Sequence, residues 1–141
     1  MGALAVEAAM LRIAFIVLAC AAIVGGGLAL GLLGPGGAAP PDRRGRTARL
    51  PSRGAGLAHG ALGATGFLVL LVALQEGAPA GTGAAGFGRI AAWLFGAALL
   101  FGLAILGLAH RRRGRTAILV AAHATLAISG IVVLMARVFL G

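Results

Sequence analysis

The segment His59-Gly60-Ala61-Leu62-Gly63-Ala64-Thr65-Gly66-Phe67-Leu68-Val69-Leu70 returns later in the chain as His123-Ala124-Thr125-Leu126-Ala127-Ile128-Ser129-Gly130-Ile131-Val132-Val133-Leu134. His, Leu, a hydroxyl residue, Gly and Leu recur at one constant offset. Each phrase follows an arginine cluster and lies within a long apolar run. That run decides the fold. A helix rising 1.5 Å per residue needs about 20 apolar residues to cross ~30 Å of hydrocarbon, and both segments meet that length.

Two further runs of the same kind flank them, so the sequence predicts four membrane spans, at about 13–33, 55–74, 90–109 and 117–136. Composition agrees. Of the 141 residues, 60% are hydrophobic and 11% charged, less than half the roughly 25% charge of a soluble domain. The expected fold class is an all-α membrane protein, a four-helix bundle forming one domain.

The connections sort by charge. All twelve basic residues are arginines, and nine of them fall in two stretches. Residues 34–54 hold Arg43, Arg44, Arg46, Arg49 and Arg53 among Gly and Pro, while residues 110–116 hold Arg111, Arg112, Arg113 and Arg115. The third connection, 75–89, is nearly neutral. Cytoplasmic loops carry the excess of Lys and Arg, so both arginine loops are expected in the cytoplasm. An even number of spans then puts both termini outside, in a bacterial inner membrane. Each half of the chain is an out-to-in helix, an arginine loop and an in-to-out helix. Gly27–Leu32 also resembles Gly102–Leu108 with one residue inserted. These features point to a parallel two-helix repeat, related by an axis along the membrane normal.

Several function classes drop out. The net charge of +9 suggests nucleic acid, but topology explains the arginines and no basic face with interleaved aromatics remains. The arginine loops suit anionic lipid instead. Gly81-Thr82-Gly83-Ala84-Ala85-Gly86 matches the dinucleotide fingerprint, which requires a preceding strand that a membrane connection does not supply. The spans as drawn contain no Asp or Glu, which disfavours an ion-coupled transporter. Val17-Leu18-Ala19-Cys20 resembles a lipoprotein cleavage box, but the apolar run continues to Leu33. Glu76 is expected to form a solvated ion pair with Arg89 or Arg137, and Trp93 and Phe87 to anchor the outer interface.

Small residues let membrane helices approach closely. Gly27/Gly31 and Gly56/Gly60 are GxxxG pairs. His59, Gly63, Gly66 and Leu70 share one helical face, as do His123, Ala127, Gly130 and Leu134. Each imidazole stands about 9–12 Å along its helix from Arg53 or Arg115, at matched depth on the arginine side. A polar side chain inside a span is a functional candidate by default; the structural alternative is an imidazole bonded to a backbone carbonyl, a hydroxyl or headgroup water. The sharper reading is a b-type haem with His59 and His123 as axial ligands to the iron. Gly63, Gly66, Ala127 and Gly130 would leave room for the macrocycle, and Arg53, Arg113 and Arg115 would pair with its propionates. In these two His phrases the chain resembles small bacterial b-type cytochromes of the cytochrome b561 kind. That resemblance implies a helical membrane bundle in which histidines on facing helices hold haem and pass electrons. Such proteins commonly hold two haems at two depths; here two span histidines at one depth accommodate one. A metal site of His59, His110 and His123 lacks a carboxylate or thiol at its depth, since Cys20 is expected in the outer half of the first span. The rival class is an accessory protein without cofactor or independent catalysis. Its glycine faces would pack against a membrane complex or a second copy of the chain.

Overall fold

The computed structural model describes residues 2–33, 53–75, 83–108 and 113–140. They form four α-helices: α1 (Gly2–Leu33), α2 (Arg53–Gln75), α3 (Gly83–Leu108) and α4 (Arg113–Leu140). Each contains a stretch long and apolar enough to cross a membrane, Ala5–Leu30, Gly54–Gln75, Gly86–Leu108 and Ala117–Leu140. Arg43, Arg44, Arg46, Arg49, Arg111 and Arg112, together with His110 and Glu76, lie outside the described residues. α3 starts within the Gly81–Gly86 segment, so the last residues of the dinucleotide-like match are helical.

The helices form a ring. α1 packs closely on α2 and α3 on α4, while α1 meets α4 and α2 meets α3 more loosely. Among the described residues the backbones of α2 and α4 do not approach each other closely, nor do those of α1 and α3, so each pair is diagonal and meets only through side chains. The bundle is therefore two tight hairpins, α1/α2 and α3/α4, with a looser seam between them.

The core is lopsided along the bundle. Leu11, Ala14 and Leu18 of α1 pack with Leu70 and Ala73 of α2, Ala91 and Phe95 of α3, and Leu134 of α4. All lie towards the end that carries the chain termini. Beyond Ala21 and Ala98, towards the arginine loops, no described residue is buried. Large apolar side chains such as Ile23, Leu68, Leu100, Ile118 and Phe139 point outward. In water such a surface would aggregate; in lipid it is the required surface.

Two differences from the sequence reading have one cause. α1 begins at Gly2, well before Ile13, and its apolar stretch includes Glu7 and Arg12. A carboxylate lowers hydropathy and so shortens the expected span. Here Glu7 is 5% exposed and accepts a hydrogen bond from Arg137 Nη2 of α4 at 2.7 Å. The pair joins the first turns of α1 to the last turns of α4. Arg137 and Glu7 thus form a buried ion pair; the ion pair expected of Glu76 falls outside the described residues.

Candidate functional site

His59 of α2 and His123 of α4 come from diagonal helices, one from each hairpin, and their rings meet inside the bundle. The ring centroids are 5.8 Å apart and the planes are inclined at 80°. Both residues are half-buried. The faces read from periodicity are the inward ones. Along α2, His59 and Gly63 are half-buried and Gly66 and Leu70 buried; along α4, His123 and Ala127 are half-buried and Gly130 and Leu134 buried.

Each ring is tied to its hairpin partner. His59 Nδ1 donates to the Ala21 carbonyl of α1 at 2.9 Å. His123 Nδ1 donates to the Ala98 carbonyl of α3 at 2.7 Å. A carbonyl oxygen can only accept, so Nδ1 bears the hydrogen. In the neutral ring Nε2 therefore keeps its lone pair. Interhelical bonds of this kind contribute about 0.6–2 kcal/mol each in a membrane. Their larger effect is directional, since they set which nitrogen is free to bind something else.

A glycine follows each acceptor by one helical turn. A Cβ on Gly25 would lie 2.5 Å from His59 Cε1, and one on Gly102 would lie 3.3 Å from His123 Cε1. The imidazoles rest on bare backbone. The correspondence continues down both hairpins. Leu18 fills the space over Gly66, and Phe95 fills the space over Gly130. Leu70 and Leu134 are completely buried, as are Ala14 and Ala91. One offset relates the α2 and α4 members of this set and another relates those of α1 and α3. The counterpart of Gly102 is accordingly Gly25, with no insertion, rather than a residue of the Gly27–Leu32 stretch.

The other expected site residues divide. Gly66 and Gly130 are occupied by Leu18 and Phe95, so they serve helix packing. A Cβ on Gly63 would reach Leu99 at 3.9 Å, an ordinary contact. Arg53 and Arg113 begin α2 and α4, and Arg115 lies in the first turn of α4; their side chains lie outside the described residues. Cys20 precedes Ala21 and so lies close to the level of His59, deeper than expected, but it is exposed on the outside of the bundle. Among the described residues nothing lies within 4 Å of a Cβ placed on Gly27, Gly56 or Gly60. Among the described residues no group of three or more His, Cys, Asp and Glu comes together. The pair thus offers a metal two imidazole nitrogens. Ala21, Gly25, Ala98 and Gly102 were missed by sequence reasoning. The only available signal was the spacing Leu18/Ala21/Gly25 matching Phe95/Ala98/Gly102, which is faint among so many Ala and Gly.

No family model, curated protein or solved structure matches this chain. Fold and site define a class on their own: a helical bundle apolar enough to span a membrane, with an imidazole pair at the seam between its hairpins.

Proposed function

We propose that this chain is a small haem b-binding membrane subunit, with His59 and His123 as the two axial ligands. One observation carries the reading: two imidazoles from diagonal helices meet edge-on with Nδ1 already engaged and centroids 5.8 Å apart. With metal–nitrogen bonds of about 2 Å on each side, two imidazoles on one ion have centroids roughly 6 Å apart. Metal-binding histidines almost always give their other N–H to a carboxylate, carbonyl or water, as both do here. The residues fit the group in a second respect. A flat macrocycle between the rings would enter along the looser inter-hairpin seam, at the end of the bundle where no described residue is buried.

Bound haem would supply one-electron exchange, with both axial positions filled by protein. The chain's own residues do the rest. His59 and His123 bind and orient; Ala21 and Ala98 fix the ring tautomers. Leu18, Leu70, Phe95 and Leu134 close the bundle beneath the site. Arg53, Arg113 and Arg115, at the starts of the histidine-bearing helices, supply charge for propionates. The positive-inside rule supports an inner-membrane setting with the arginine loops in the cytoplasm and both termini outside. The matched contacts of the two hairpins support a parallel two-helix repeat.

Reduced-minus-oxidised spectra of detergent-purified protein test the reading. Wild type from haem-replete cells is expected to show a b-type α-band that both His59→Ala and His123→Ala abolish. A colourless wild type overturns it.

A second reading draws on a different observation. Gly26 and Gly27 of α1 and Gly56 and Gly60 of α2 are exposed with open space where a side chain would lie. Such bare helix surface near the arginine-loop ends of α1 and α2 suits close packing by a helix of a membrane complex or of a second copy of the chain. An accessory protein would give no α-band and would co-purify with its partner in mild detergent.

A further inference from the structure

We infer that Gly25 and Gly102, together with the Ala21 and Ala98 carbonyls, are positioning residues that aim both histidines. They hold the two rings as Nδ1–H tautomers with Nε2 left as the ligating atom. The inference deepens the proposed haem site and rests on that reading for its purpose. Its physical content, the tautomer and ring position, can be measured without any cofactor.

In a helix the carbonyl of residue i accepts the N–H of residue i+4. Ala21 O is therefore paired along α1 with the Gly25 N–H, and Ala98 O along α3 with the Gly102 N–H. Each carbonyl has a second lone pair, and the histidine of the adjacent helix takes it, at 2.9 and 2.7 Å. To reach that lone pair the ring must lie over the next turn, where residue i+4 projects its Cβ. At Gly25 the clash would involve Cε1 at 2.5 Å, Nδ1 at 3.0 Å and Nε2 at 3.2 Å, the whole N–C–N edge of His59. At Gly102 it would involve Cε1 at 3.3 Å and Nδ1 at 3.5 Å. Glycine at i+4 is thus required for the observed ring position at His59 and eases it at His123, and it occurs in both hairpins beside both histidines. Packing alone does not call for this coincidence, because Gly66 and Gly130 already provide the close approach between the paired helices.

The two glycines differ in tolerance. An alanine at position 25 cannot coexist with the observed His59 ring, whereas one at position 102 asks His123 to give by a few tenths of an ångström. Nitrogen NMR of histidine-labelled, cofactor-free protein in detergent reads the result directly, because a protonated ring nitrogen and a lone-pair nitrogen resonate far apart. Wild type is expected to show both rings as the Nδ1–H tautomer. Gly25→Ala is expected to lose that signature at His59 and keep it at His123. Gly102→Ala is expected to perturb His123 alone, and less. Haem titration of the same proteins is expected to weaken about 10- to 100-fold in Gly25→Ala, and by a smaller factor in Gly102→Ala.

Rings protonated on Nε2 in the wild type would overturn the inference, as would a His59 signal unchanged in Gly25→Ala. Should Gly25→Ala not fold, Gly102→Ala carries the test, and an unaltered His123 there overturns it. Fixed Nδ1–H tautomers in a protein that takes up no haem would uphold the positioning role and overturn the haem reading. Haem binding with freely exchanging tautomers would do the reverse.

Discussion

A glycine in this protein means different things according to the helical face it occupies. Gly66 is buried, and a Cβ there would meet Leu18 Cγ at 2.7 Å; at Gly130 it would meet the rim of Phe95 from 3.0 Å. At Gly56 and Gly60 nothing lies within 4 Å. Replacing glycine by alanine in a helix gains about 1 kcal/mol of backbone propensity, while overpacking a filled core costs about 1–3 kcal/mol. The second effect wins only where the site is full. Gly66→Ala is therefore expected to destabilise the bundle by about 1–2 kcal/mol, and Gly130→Ala by less, because an aromatic rim can shift. Gly56→Ala is expected to be neutral or to stabilise by up to about 1 kcal/mol. Unfolding in mixed micelles, followed by helix content, checks the ordering; equal effects at Gly56 and Gly66 would contradict it. Periodicity distinguished these positions correctly where it was anchored on the histidines. The GxxxG spacing alone did not say which way the pair faces, and among the described residues Gly27, Gly56 and Gly60 face open space.

Among elements, the least legible feature was the tie between the first helix and the last. Glu7 and Arg137 stand 130 residues apart in sequence, and a hydropathy window sees each as a break in an apolar run. It places Glu7 outside the first span and leaves Arg137 at the end of the fourth. Only the ring order of the helices brings them together. Removing one partner from a buried pair leaves an uncompensated charge, at a cost of about 3–5 kcal/mol, whereas replacing both with apolar residues is often neutral. Glu7→Gln is accordingly expected to destabilise strongly, and the double variant Glu7→Leu/Arg137→Met to recover most of the loss. A double variant no better than the single one would show that the pair contributes net stability. Among the described residues Arg137 Nε is buried without a hydrogen-bond partner, which strengthens the expectation for the double variant. The helices themselves were legible, because a membrane permits little else for four uncharged runs of this length. The carbonyl acceptors of the histidines were not, because a backbone oxygen has no letter in the sequence.

At the scale of the whole molecule, each hairpin contributes one imidazole to the pair and bonds it to a backbone carbonyl of its own partner helix. The packed core lies at the end with the termini, and the histidines lie towards the arginine loops, where burial gives out. Orientation in the membrane therefore decides which compartment the site faces. Nine arginines in two connections against a single one in residues 75–89 favour the arginine side in the cytoplasm, because the charge bias of short loops sets topology. Glu7 and Arg137 do not oppose this assignment, since they neutralise one another at the far end. Alkaline phosphatase fused to either terminus is expected to be active outside, and a fluorescent protein that matures only in the cytoplasm to stay dark in the same positions. A cytoplasmic signal from both termini would invert the bundle and turn the imidazole pair towards the outer face. Such an inversion would leave the two-histidine geometry intact and change only the side of the membrane towards which it lies.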